Sequence, residues 1–406
     1  MKRPEVHGHY YLGMAINYAS GEWLKHLFTV GRKKDLNTLK RYLSQRYNGE
    51  AMLCKNGRSA LTLALKAYFK SGDEILVNGF TCYAVYEAVK AAGLKPIFVD
   101  IDKSTLNYNT HTLESAISGA SRVRGIIVQN TLGNPVDIKA IEAFANEHEL
   151  TIIEDLAHCA GVRYSDKREV GTVGAACALS FGKDKSIDTV SGGAVVFRGE
   201  LSSILGARPA GPSPRAAGAT PRTAALRTPS DLMKASPSKP PRPSDHLRAR
   251  FYPMFGAMSR GLTYVGIGGA LMRGLIKIHW VEKSADNKLD LERRLSKFEA
   301  KLALKQLKGL RQNGEPALRD FYYVHDRDKV LKELQKKGYY FGGFWYEKPV
   351  SPLRYYKKVK FPEANCPNAV YAADHIINLP NYYTRRDLAS ARRIIKKYLE
   401  EGSDGQ

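Results

Sequence analysis

A chain of 406 residues can bury a sizeable core and form two or three domains. Its 43% hydrophobic and 25% charged residues are those of a globular protein, and no apolar run approaches the roughly 20 residues of a membrane-spanning helix. A net charge of +23 favours anionic partners as a class: phosphorylated small molecules, nucleic acid or an acidic membrane face.

The opening Met1-Lys2-Arg3-Pro4-Glu5 turns to His and Tyr rather than to an apolar core, so no signal peptide is expected. The five cysteines (Cys54, Cys82, Cys159, Cys177, Cys366) are scattered and form no Cys-x-x-Cys pair. They predict neither a disulfide framework nor a zinc site, and a reducing cytoplasm.

From about residue 50 to 200, short apolar runs alternate with helical patterns. The runs are Glu74–Val77, Pro96–Asp100, Gly125–Gln129, Thr151–Asp155, Ala176–Phe181 and Gly193–Phe197. Amphipathic stretches, such as Tyr83–Ala92 and Ile138–His148, lie between the early ones. This rhythm predicts an α/β fold with a mostly parallel central sheet covered by helices. Ligands of such sheets bind beyond the carboxyl ends of the strands.

Residues 206–250 change character, with nine of the 19 prolines and a net charge of +7. A disordered insertion is expected there, because so few large apolar groups cannot offset the entropy of ordering. Residues 251–288 begin with an apolar, basic segment, Phe251–Trp280, that contains Arg260, Arg273 and Lys277 and no acidic residue. It reads equally as a subunit contact or as a segment lying on a membrane surface. A helical pattern resumes over Leu289–Leu310; strand-like pieces follow at Tyr339–Trp345 and Ile376–Leu379, then a final helix over Arg386–Leu399. The expected organisation is a large domain over 1–200, the two segments above, and a small C-terminal α/β domain over 289–406.

Three segments carry the chemistry, two at predicted strand ends and one at a predicted helix start. The first is Ser180-Phe181-Gly182-Lys183-Asp184-Lys185-Ser186-Ile187, followed by Gly192-Gly193. The second is Ile152-Ile153-Glu154-Asp155-Leu156-Ala157-His158. The third, Asn56-Gly57-Arg58-Ser59-Ala60-Leu61, opens the helix Leu61–Tyr68, and N–H groups at such a helix start suit a phosphate. A lysine, a carboxylate and a phosphate cup are the groups that a pyridoxal 5'-phosphate (PLP) enzyme needs.

In these segments the sequence resembles the DegT-type family of PLP-dependent sugar aminotransferases, whose fold is that of aspartate aminotransferase (fold type I). The resemblance implies that Lys185 is the Schiff-base lysine, since Ser180, Phe181, Gly192 and Gly193 keep the family's spacing around it. Lys183 is two residues out of register. It also implies that Asp155 pairs with the pyridine nitrogen and that His158 lies near the ring hydroxyl. Gly57, Arg58, Ser59 and Ser180 would bind the phosphate, Arg58 replacing the common Thr. Weaker similarities lie in Phe80-Thr81-Cys82-Tyr83, Gly133–Asp137 and the helix from Arg294 to Leu307. Cys82 stands where the family has a ring-stacking aromatic, which leaves Tyr83 or Cys82 to cover the cofactor. Glu292 stands where the family has an Asn that reaches the partner's phosphate, with Arg293 or Asn287 as substitutes.

The expected function is therefore transfer of an amino group from an amino acid, with glutamate as the expected donor, to an anionic keto-sugar, nucleotide-linked for preference. A cytoplasmic homodimer is implied, with a peripheral membrane contact left open, and neither a metal nor a nucleic-acid partner is expected. One alternative is a different PLP reaction, although dehydratases of the family carry His in place of the lysine. Another is a non-catalytic relative acting at an anionic membrane surface.

Overall fold

The computed structural model describes residues 10–11, 32–120, 122–182, 185–189, 191–198, 297–310, 318–340, 345–381 and 386–400. The expectations for residues 206–250 and 251–288, and for Lys183, Asn287, Glu292, Arg293 and Arg294, lie outside the described residues.

After a short β1 (Tyr10–Tyr11), α1 (Lys33–Arg46) leads into β2 (Glu50–Cys54) and α2 (Gly57–Tyr68). Next come β3 (Glu74–Asn78), β4 (Thr81–Cys82), α3 (Tyr83–Ala91), β5 (Lys95–Val99) and α4 (Thr110–Ile117). The large unit continues with β6 (Val123–Val128), α5 (Ile138–Glu147), β7 (Thr151–Asp155), β8 (Ala176–Ser180) and β9 (Gly193–Phe197). Seven strands form one sheet in the order β2-β9-β8-β7-β6-β3-β5. It is parallel except that β9 runs antiparallel to both β2 and β8. The six expected strands are present with ends shifted by no more than two residues.

Strand alternation separates two apolar layers. Ile153, Ala176 and Ala178 face a cluster with Ala60, Leu61 and Ala64 of α2, while Ile152, Cys177 and Leu179 face a cluster with Leu39 and Leu43 of α1. By the same parity Asp155, two residues beyond Ile153, and Ser180, two beyond Ala178, lie on the α2 side of the sheet.

Glu154 lies on the opposite side and is fully buried. Its carboxylate accepts hydrogen bonds from the Gly171, Val173 and Gly174 N–H groups (2.7, 2.8 and 2.7 Å) and from the Tyr164 hydroxyl (2.8 Å). Arg198 adds an ion pair at 3.0 Å. So many donors offset the cost of burying the charge and tie the 171–174 turn to β7.

The C-terminal residues add α6 (Lys297–Gly309), β10 (Arg319–Tyr323), α7 (Arg327–Lys336), β11 (Tyr339–Tyr340) and β12 (Val350–Ser351). They end with α8 (Leu353–Val359), α9 (Pro367–His375), β13 (Ile376–Pro380) and α10 (Ala389–Lys396). Helix α6, expected at the head of the small domain, packs Ala300, Ala303 and Leu307 against the cluster of α1. Strands β10 and β13 pair antiparallel, and α7 and α10 cover a small core of Val324, Val330, Leu334, Ile377, Leu379 and Ile395. Of the expected strand over Tyr339–Trp345, residues 341–344 lie outside the described residues; β11 covers Tyr339–Tyr340, and Trp345 and Tyr346 form a turn in which Tyr346 has φ 66°.

Two contacts dock this part on the large sheet. Asp100, after β5, accepts the Asn368 and Ala369 N–H groups (3.1 and 2.9 Å) at the start of α9. A carboxylate suits the exposed N–H groups and positive end of a helix. Strand β12 pairs in parallel with β4, which sets Ser351 opposite Cys82.

Candidate active site

Gly57, the first residue of α2, packs closely against the end of β8. A Cβ there would lie 2.6 Å from the Cβ of Ser180, so only glycine lets the helix start rest against the end of β8. The first-turn N–H groups of a helix have no partner within it. Asn56, preceding Gly57, caps Ser59 N–H at 2.8 Å. Arg58 turns its guanidinium away to an ion pair with Glu87 of α3 (2.7 Å), so the backbone N–H is what it presents at the helix start.

Asp155 ends β7 and is 8% exposed. One carboxylate oxygen accepts the Ala157 N–H at 3.0 Å, and the other makes no hydrogen bond among the described residues. Burial pushes the carboxyl up, against the Ala157 N–H and the charge of Lys185, which pull it down. The site thus holds a buried carboxylate with one oxygen open. His158, one turn on, accepts the Leu132 N–H at Nδ1 (3.2 Å). Burial, and then the charges of Lys185 and Arg319, hold its pKa well below the usual histidine value. The imidazole is neutral, with Nε2 carrying the proton.

Lys185 sits in the loop between β8 and β9. Phe181 N–H donates to Gly192 O and Thr189 N–H to Phe181 O, each at 2.9 Å. From α6, the Gln306 amide accepts the Asp188 N–H and donates to the Asp188 carbonyl, each at 2.6 Å, and Glu299 accepts the Ser191 hydroxyl. The loop is therefore pinned on both sides of the lysine. The Lys185 Nζ lies 4.5 Å from the ring centroid of Trp345, in cation–π range.

The structure brings Gly57, Ser180, Asp155, His158 and Lys185 to one end of the sheet, and adds a wall that sequence reasoning missed. Trp345 is 7% exposed, packs 4.9 Å from the His158 ring and has a buried Nε1 without a hydrogen-bond partner among the described residues. Arg319 lies 5.4 Å from the other ring of that contact, Trp345, and is itself buried. Asn378 links the two, accepting from Arg319 Nε at 2.5 Å and donating to the Trp345 carbonyl at 3.1 Å. Tyr346 stacks on Phe80 at 4.3 Å, and Cys82 and Asp155 are close enough to add to the burial that pushes its hydroxyl up.

Of the two residues expected to cover a cofactor ring, Tyr83 stacks instead on Tyr355 (4.4 Å, 17°). Cys82 caps α3, its Sγ accepting the Ala84 N–H at 3.4 Å. Cys82 remains at the pocket edge beside Tyr346, and Trp345 presents an aromatic surface to Lys185.

The segments that supply these groups fall within a stretch similar to a known family. Residues 32–203 match the DegT/DnrJ/EryC1/StrS aminotransferase family. The matched stretch holds Gly57, Asp155, His158, Ser180 and Lys185, and ends before the C-terminal residues that form the wall. The chain is 36% identical over 145 residues to the UDP-2-acetamido-2-deoxy-3-oxo-D-glucuronate aminotransferase of Pseudomonas aeruginosa (36% of this chain, 40% of that protein). It is 35% identical over 145 residues to the pleiotropic regulatory protein of Geobacillus stearothermophilus (36% of this chain, 38% of that protein). The chain thus spans about two fifths of the length of these curated relatives.

The fold extends further than the sequence similarity. A DegT/DnrJ/EryC1/StrS aminotransferase from Brucella abortus superposes with a TM-score of 0.60, covering 93% of this chain and 95% of that one at 19% identity. The chain therefore has the α/β fold of these aminotransferases, fold type I, as the family resemblance implies; the strand pattern predicts its mostly parallel sheet.

Proposed function

We propose that this protein is a PLP-dependent aminotransferase that moves an amino group from an amino acid, glutamate in the first instance, to a keto-sugar. The observation that carries the reading is the Asp155 carboxylate, buried with one oxygen open, on the sheet face that also bears Ser180 and adjoins Lys185. The residues present fit the cofactor. The open oxygen of Asp155 suits a protonated pyridine nitrogen. The α2 N-terminus against Ser180 suits a phosphate, with Gly57 and Arg58 offering main-chain N–H groups; the Ser59 N–H expected beside them is taken by the Asn56 side chain. His158, proton on Nε2, is a donor for the ring hydroxyl.

When bound, PLP supplies an electron sink for the carbon that loses its proton. The chain's own groups supply the rest. Lys185 would hold the cofactor through Nζ, and its free amine would carry the proton from the donor's α-carbon. Asp155 would hold the proton of the pyridine nitrogen in place. Trp345 and Tyr346 close the pocket against water. Each half of the transfer uses the same lysine, so donor and acceptor bind in turn. The relative from Pseudomonas aeruginosa is named for a UDP-linked keto-sugar acid, which supports an anionic sugar acceptor here.

The test is a single turnover. PLP-loaded protein mixed with glutamate should release one 2-oxoglutarate per site, and Lys185→Ala should release none. Equal release from both proteins would overturn the reading. Homodimeric assembly in a cytoplasmic setting belongs to the same proposal, and light scattering at a dimer's mass is its check. Among the described residues no helix is long and apolar enough to cross a membrane.

A further inference from the structure

A flat cofactor ring needs a flat apolar cover, and neither residue expected to supply one is in place to do so. Tyr83 is engaged with Tyr355, and the Cys82 thiol accepts the Ala84 N–H at the start of α3. A thiol also offers no flat face. The pocket edge at Cys82 is closed instead by Tyr346, from the C-terminal part of the chain.

Tyr346 is buried in a left-handed backbone conformation, φ 66°, which costs a tyrosine energy and is kept mostly where a fold must aim a side chain. Phe80, two residues before Cys82, stacks on the Tyr346 ring at 4.3 Å and 28°, and the His158 ring stands edge-on to it at 6.3 Å and 80°. Burial, then Cys82 and Asp155, push the Tyr346 hydroxyl up, which sets that end of the ring beside both residues. The hydroxyl is buried and has no hydrogen-bond partner among the described residues. Buried hydroxyls are ordinarily paired, and a bound ligand is a ready partner for this one. The turn is fixed from below: Thr81 N–H donates to Pro349 O at 2.8 Å, and β12 then sets Val350 opposite Thr81 and Ser351 opposite Cys82. Trp345 serves the other end of the site, with Lys185 Nζ and the Arg319 guanidinium 4.5 and 5.4 Å from its ring centroid.

We propose that Tyr346 covers the cofactor ring from the Cys82 side, in place of the aromatic side chain that position 82 lacks. The inference rests on the cofactor reading above and names the group that closes the ring's face. The negative face of a tyrosine ring attracts a protonated pyridine, the form that Asp155 favours. Because the cover comes from the C-terminal part, cofactor binding and the docking of β12 on β4 support each other.

The test titrates PLP into the cofactor-free full chain and follows the visible absorbance and induced circular dichroism of the bound cofactor. Tyr346→Phe keeps the flat face and should weaken binding by no more than about threefold, the worth of one neutral hydrogen bond. Tyr346→Leu keeps apolar bulk without the face; it should weaken binding about tenfold and diminish the dichroism. Adding Cys82→Phe to Tyr346→Leu supplies a ring from the other side and should restore both readings, which a packing role for Tyr346 would not allow. Cys82→Phe alone leaves Tyr346 in place and should gain nothing. Tighter PLP binding by that single variant would show an uncovered ring and overturn the proposal. So would undiminished binding by Tyr346→Leu, or no recovery in the double variant. Failure of the unmodified protein to bind PLP would overturn the cofactor reading and this inference together, whereas binding that Tyr346→Leu leaves intact would overturn this inference alone.

Discussion

The candidate pocket has a floor and a wall that are built differently. On the floor, Leu156 N–H donates to Ala178 O at 2.8 Å beside Asp155, and Phe181 N–H and Gly192 O meet at 2.9 Å across the Lys185 loop. Main-chain bonds of this kind depend little on side-chain identity. The wall is held by side chains: the Asn378 bridge between Arg319 and Trp345, and the Phe80–Tyr346 stack, a contact worth about 0.5–1.5 kcal/mol beyond its burial. A floor so fixed suits the cofactor chemistry proposed above. A wall so held can change residue by residue, which suits choice of substrate.

The largest effect expected from breaking this contrast is at Asp155. Asp155→Asn should fold and retain PLP but slow glutamate turnover by about a thousandfold or more, since the neutral amide no longer holds the pyridine nitrogen protonated. Stopped-flow spectra measure this, and near-normal turnover would make Asp155 a structural cap. The adjacent carboxylate should behave in the opposite way. Glu154→Ala removes the acceptor of five donors and should cost about 3–5 kcal/mol of unfolding free energy, read by urea denaturation.

Next is Gly57→Ala. Its methyl must displace Ser180, a strain of about 1–3 kcal/mol, and PLP should dissociate about ten- to a hundredfold more readily. Unchanged PLP retention would show that the α2 N-terminus is not the phosphate cup.

A smaller effect concerns pH. His158 is held neutral in the folded state, whereas in the unfolded chain it gains a proton below about pH 6.5. Stability is therefore complete above that pH and is lost as pH falls towards the folded-state pKa, by up to about 1.4 kcal/mol per unit. His158→Gln should flatten this part of the stability profile of the cofactor-free protein. An unaltered slope would contradict a buried neutral imidazole. Least disruptive should be Trp345→Phe, which keeps an aromatic wall and loses the unpartnered Nε1–H. We expect a change in donor or acceptor KM of a few fold with PLP retention unchanged.

Much of the floor is legible in the sequence, because strand ends and helix starts have local signatures. Thr151–Asp155 and Ala176–Ser180 are apolar runs closed by a polar residue, and Asn56-Gly57 precedes a Leu/Ala helix. Helix α1 carries a readable signal too, Leu36, Leu39 and Leu43 at helical spacing. Strand β2 does not: Glu-Ala-Met-Leu-Cys contains no β-branched residue, and the strand takes its form from pairing with β9. The wall is not legible either. Trp345 closes the expected strand-like piece, but no local pattern indicates that the turn at Trp345 meets Lys185. That contact depends on the docking of β12 on β4 and of α9 on Asp100, and both are distant in sequence.

The measurement that bears most directly on the central claim is borohydride reduction of the PLP-loaded protein followed by peptide mapping. The floor geometry predicts one pyridoxyl group per chain, on Lys185. A pyridoxyl group on Lys183, or none on the peptide containing both lysines, would contradict the account.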